Sequence, residues 1–118
     1  MTPTKLGYQQ QSTSGTAGVV DTNLHQVFPA QGPNLCNYLT DLQVYATAGA
    51  SLYTVTILDG ATPIFVANVN AASITAIAPY SFTTPLKGSP NTPMNIRFNS
   101  AAPTAVWNAQ GFVAAANL

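Results

Sequence analysis

Glutamate is absent from this chain, and charge of either sign is scarce. Lys5, Lys87 and Arg97 stand against Asp21, Asp41 and Asp59, for a formal net charge of zero. Charged side chains make up 5% of the 118 residues, where soluble domains ordinarily carry about 25%. Three scattered cations form no basic stripe, so nucleic acid, whose recognition needs several phosphates neutralised together, is not an expected partner. No apolar run approaches the roughly 20 residues of a membrane-spanning helix. The segment from Met1 to Lys5 has no apolar signal core, so neither membrane nor export is expected, and the chain reads as made in a cytoplasm. The single cysteine, Cys36, leaves no partner for an internal disulfide.

Catalytic side chains are as scarce as charge. The one histidine, His25, has no second histidine and no glutamate to share a metal with, so a zinc site would have to recruit Cys36 and scattered aspartates. A Cys36–His25 nucleophile pair can be written formally, but a cysteine within a strand is more simply a small buried apolar residue. Glycoside chemistry would need two of Asp21, Asp41 and Asp59 to converge, and Asp59 is accounted for by a turn. The stretch Leu86-Lys-Gly-Ser-Pro90 lacks phosphate-loop spacing. No enzyme activity, metal or cofactor is therefore expected. Tyr38, Tyr45, Tyr53, Tyr80 and Trp107 could stack on sugars, yet most alternate with apolar residues, which favours packing in a core or interface.

What the chain does have is 47% hydrophobic residues, too many for disorder and enough for one domain with a real core. Nine prolines and eight glycines punctuate it, and β-branched and aromatic residues fill the intervals, which argues for strands. Residues 1–18 contain Gln9-Gln-Gln-Ser-Thr-Ser-Gly-Thr16 with no apolar periodicity, and read as an extended N-terminal arm. Leu6, Tyr8, Gln9, Gln10 and Gln11 are its candidate partner-binding residues. Residues 19–118 read as the folded domain. Strands are expected near 24–28, 35–47, 52–58, 64–69, 73–83, 92–99 and 105–114. In the second, Cys36, Tyr38, Thr40, Leu42 and Val44 should share one face, and Asn37, Leu39, Asp41, Gln43 and Tyr45 the other. Asp59-Gly60 signals a type I′ hairpin, Pro79 marks an edge or broken strand, and Gly111 a bulge. About seven strands at this spacing predict an all-β antiparallel sandwich of jelly-roll type.

The order of segments also resembles the small virion structural proteins of tailed bacteriophages, of the capsid decoration (cement) type. The resemblance is carried by Val44-Tyr-Ala-Thr47, Tyr53-Thr-Val-Thr-Ile-Leu-Asp-Gly60, Pro85-Leu-Lys-Gly-Ser89, Thr92-Pro-Met-Asn-Ile96 and Val106-Trp-Asn-Ala-Gln-Gly-Phe-Val113. In such proteins a strand ending in Asp-Gly is followed by a Pro-Leu-x-Gly turn, a further strand and a closing Asn-Ala-Gln-Gly-aromatic strand. No single piece is specific, and the series spans about two-thirds of the chain. It implies a homotrimer on the outer surface of a virion, bound to the major capsid protein, bridging neighbouring capsomers, made in a host cytoplasm and without catalytic residue or cofactor. The low charge is compatible with that setting, because neutral polar surface costs less to cover than charged surface. The alternative is a tail-fibre or receptor-binding module that recognises host glycans.

Overall fold

The computed structural model describes residues 9–17, 24–46, 52–70, 77–98 and 105–116. They form eight strands: β1 (Gln9–Ala17), β2 (His25–Phe28), β3 (Leu35–Ala46), β4 (Leu52–Asp59), β5 (Thr62–Asn70), β6 (Ile77–Lys87), β7 (Met94–Phe98) and β8 (Ala105–Ala115). Two four-stranded sheets result, ordered β1-β8-β3-β6 and β2-β7-β4-β5, and every pairing is antiparallel. The order has a simple origin. β4 pairs with β5, β3 with β6, β2 with β7 and β1 with β8, so the chain is a nested ribbon of four rungs. Rolling that ribbon brings β3 against β8 and β4 against β7, and alternate rungs fall into opposite sheets. This is an eight-stranded jelly roll, as the alternation and turn spacing lead one to expect.

The core lies between the sheets. Leu39, Leu42, Val44, Trp107 and Ala109 face it from one sheet; Val27, Phe28, Val55, Ile57, Met94, Ile96 and Phe98 face it from the other. Full burial of each large member contributes about 1.5–3 kcal/mol. At the sheets' margin Phe65 of β5 meets Tyr80 and Phe82 of β6 edge-on, at centroid separations of 5.2 and 5.0 Å, and helps close the roll.

Four sequence expectations change. Gln9–Ala17, within the segment expected to be an arm, is a strand of the sandwich, in continuous register with β8 from Gln9↔Val113 to Ala17↔Ala105. A polar segment can join a sheet through its backbone alone, without apolar alternation.

The faces of β3 also differ. Register shifts between Leu39 and Asp41, where Thr40 is an extra residue opposite the Gly111–Gln110 step of β8. One extra residue inverts the alternation. Leu39 therefore shares the core with Leu42 and Val44, while Cys36 and Tyr38 share the outer face with Asp41 and Gln43. The bulge belongs to β3 rather than to Gly111. That glycine answers a different need: a Cβ there would lie 2.0 Å from the Tyr38 carbonyl oxygen.

The hairpin is real, but its frame moves by one residue. Asp59 pairs with Thr62, leaving Gly60-Ala61 as the loop. Only Gly60 of these has positive φ, at 63°, as the first central position of a type II′ turn requires. Pro79 lies, as expected, on an edge strand, β6, which is irregular opposite the β3 bulge. The β6 strand begins at Ile77, and residues 73–76 lie outside the described residues.

Candidate functional site

One end of the roll is tied by polar side chains. Asn37, buried, donates through Nδ2 to the carbonyls of Pro29 (3.0 Å) and Thr92 (3.2 Å), joining the loop before β3 to the loop before β7. Asn91, with φ of 51°, accepts from Gly32 N through its side-chain oxygen (3.0 Å) and donates its own N–H to Leu35 O (2.9 Å). Asp59 is held differently from the turn role its sequence context suggests. Its carboxylate accepts from the backbone N–H of Ser89 (2.9 Å) and from the Ser89 hydroxyl, gripping the 88–93 loop. Gly60 N donates to Pro93 O, and Asn95 Nδ2 donates back to Gly60 O, each at 2.8 Å. These bonds fasten loops to one another, so this end is a structural clasp. Asp59→Ala is expected to lower stability by about 1–2 kcal/mol, because a half-exposed carboxylate loses two charge-assisted bonds. A urea melt checks this, and an unchanged midpoint would remove Asp59 from the clasp.

The outer face of the β1-β8-β3-β6 sheet is divided. One half is apolar. Cys36, Tyr38 and Ala114 are buried there with Phe112 and Ala116 against them. The rings of Tyr38 and Phe112, opposite each other in register, stack 4.7 Å apart and 8° from parallel. Lys87 places its ammonium 5.8 Å from the Tyr38 ring centre and donates to Ala116 O (2.6 Å).

The other half is polar and concave: a groove of about 650 Å³, open on one side, lined by Asp41, Leu42, Gln43, Tyr80, Ser81, Asn108 and Gln110. Register explains its composition. Gln110, Asp41 and Ser81 form one row across three strands, and Asn108 and Gln43 stand side by side in the next. The Ser81 hydroxyl donates to Asp41 Oδ1 at 2.6 Å. Leu42 and Tyr80, opposite each other in register, turn their side chains toward the core, where the Tyr80 ring meets Phe65; burial raises the Tyr80 hydroxyl above its ordinary pKa of 10.0, so it is a neutral phenol at neutral pH.

The sequence-derived candidates are distributed differently. Leu6 and Tyr8 lie outside the described residues. Gln9, Gln10 and Gln11 fall on β1, opposite Val113, Phe112 and Gly111. His25 and Cys36 lie on different sheets, so the fold does not bring them together as a pair. Among the described residues no three His, Cys, Asp or Glu side chains gather to hold a metal, and no helix is long and apolar enough to cross a membrane. Of the aromatics, Trp107 is in the core, Tyr38 is stacked and Tyr80 is half-buried. Tyr45 and Tyr53 have side chains outside the described set. Sequence reasoning missed the groove because its residues meet only through register across β3, β6 and β8. Asp41, Gln43, Asn108 and Gln110, polar residues alternating with core positions in β3 and β8, were its advance signal.

No family model matches the chain, and no curated protein matches it. Among solved structures it is similar to a chain of the virus-like particle of the giant freshwater prawn (Macrobrachium rosenbergii) extra small virus, at 14% identity and a TM-score of 0.44, covering 92% of this chain and 79% of that one. It is also similar to an insecticidal delta-endotoxin of Bacillus thuringiensis, at 14% identity and a TM-score of 0.41, covering 90% of this chain and 19% of the toxin. Neither likeness assigns a role to any residue here.

Proposed function

We propose that this chain is a virion structural protein that works by assembling with other protein surfaces. More specifically, it is a capsid decoration protein that seats on a shell as a homotrimer and bridges neighbouring capsomers. The observation that carries the reading is how the few charges are spent. Of the four charged side chains among the described residues, Asp41 is bonded to Ser81, Asp59 to Ser89 and Lys87 to Ala116 O, all within the chain. Apart from Lys87 and Arg97, the exposed side chains among the described residues are neutral polar or apolar, and such surface is inexpensive to desolvate. Many modest contacts of this kind, repeated by symmetry, bind a shell tightly. The segment order from residue 44 to residue 113 supports the same reading, and it requires no catalytic group and no cofactor.

The test is to mix the purified protein with undecorated heads of its phage. Stoichiometric binding and a higher disruption temperature are expected, with a trimer mass in light scattering. A monomer at high concentration, or heads that take up no protein, would overturn the reading. Because β1 belongs to the sandwich, the terminal segment is tested by removing residues 1–8, which include Leu6 and Tyr8, and not 1–18. The shortened chain should keep its trimer and bind heads more weakly.

A further inference from the structure

From the polar groove on the β1-β8-β3-β6 sheet we infer a binding site for a neutral carbohydrate, centred on Asp41, Gln43, Asn108 and Gln110. These four residues occupy the corners of a cell in the antiparallel ladder, Asp41 opposite Gln110 and Gln43 opposite Asn108. Strand spacing and the two-residue repeat give that cell sides of about 5 and 7 Å. A six-membered sugar ring laid on such a mesh brings its hydroxyls over several polar groups at once.

The chemistry of the corners selects the ligand class. Each amide offers donors and an acceptor, and a sugar hydroxyl both donates and accepts, so the two sets are complementary. The Asp41 carboxylate receives the Ser81 hydroxyl on Oδ1, which fixes its orientation and leaves Oδ2 able to accept from a ligand hydroxyl. No Lys, Arg or His lines the groove, so nothing there favours an anion. One carboxylate is too few for a bare divalent cation, which takes six or more oxygen ligands in its usual sites. A volume of about 650 Å³ lies within the range of small-molecule sites, about 300–1,000 Å³.

The inference does not depend on the shell-binding reading, and one set of samples separates them. Isothermal titration and amide-resonance mapping would use methyl glucoside, methyl galactoside, methyl mannoside, N-acetylglucosamine and their short oligomers, with sialyllactose as the charged comparison. At least one neutral saccharide should bind and shift amides of residues 41–43 and 108–110. The double substitution Asn108→Ala, Gln110→Ala changes two exposed side chains, so circular dichroism and trimer mass should be unchanged. Its affinity should fall about tenfold or more, two lost hydrogen bonds being enough for that. Gln26→Ala, exposed on the opposite sheet, should bind as wild type. Silence of every neutral saccharide, or a double variant that binds normally, overturns the site. Loss of head binding in the double variant without any saccharide response would make the groove a protein contact and equally overturn it.

Discussion

Gly111→Ala is expected to destabilise the fold by more than about 3 kcal/mol, a large share of the roughly 5–15 kcal/mol that holds a domain together. An ideal Cβ at this position sits 2.0 Å from the Tyr38 carbonyl oxygen, 3.0 Å from the carbon that bears it and 3.1 Å from Phe28 Cε2. The ring could yield by a few tenths of an ångström. The carbonyl cannot, because it belongs to the backbone of β3 where β3 and β8 run together, from Leu35↔Ala115 to Ala46↔Ala105. Relief requires parting the two central strands of the sheet beside the Thr40 bulge. The obstacle being backbone, shortening the ring should not help: Gly111→Ala with Phe28→Leu should be no more stable than Gly111→Ala alone. Gly88→Ala makes a useful contrast, since its Cβ would meet Asp59 Oδ1 at 3.2 Å and no backbone atom closer than 3.5 Å, and it should be far milder. Urea melts of the three variants decide the matter, read at constant slope. A Gly111→Ala midpoint within about 1 kcal/mol of wild type would mean that β3 and β8 do not approach so closely.

Phe28→Ala should cost about 3–5 kcal/mol, the range for emptying a buried aromatic site. The size of the effect follows from how little else holds β2. The strand has four residues, and its register with β7 is broken between Gln26 and Phe28. Few backbone rungs can form, so the strand depends on Val27 and Phe28, which are 3% and 1% exposed. With the ring gone, β2 loses its anchor as well as its packing. Amide exchange should therefore speed up first in residues 25–28 and in their partners 94–96 of β7, ahead of the β4–β5 hairpin. Uniform loss of protection across both sheets would instead show that β2 is held by more than its two core residues.

Legibility in the sequence followed the physical origin of each element. The β4–β5 hairpin was readable because half-buried strands write period-two alternation and a tight turn demands a glycine. Met94, Ile96 and Phe98 were readable for the same reason and do face the core. The strand nature of Gln9–Ala17 was not, because a run without apolar residues leaves no alternation when it joins a sheet by its backbone. The faces of β3 were misread beyond Thr40, since a bulge inverts the pattern without any signature residue in its own strand. Gly111 was singled out correctly and for the wrong cause: a glycine in a strand signals either a bulge or a close approach, and only the neighbouring carbonyl distinguishes them. The groove could not be assembled in advance, because Asp41 and Gln110 are neighbours only through the register of β3 on β8.

The nesting of the rungs also sets a timetable for biosynthesis. The innermost hairpin can close as soon as residue 70 has been made, whereas Gln9 has no ladder partner until Val113 exists. β3 likewise waits for both of its neighbours, β6 and β8. A ribosome-bound chain can thus shelter its middle early but must hold β1 unpaired until β8 has emerged. The outer face of the β1-β8-β3-β6 sheet, groove included, is the last surface to come into being, and a truncated product cannot display it. Any partner that reads that face is by construction a partner of chains made at least through β8.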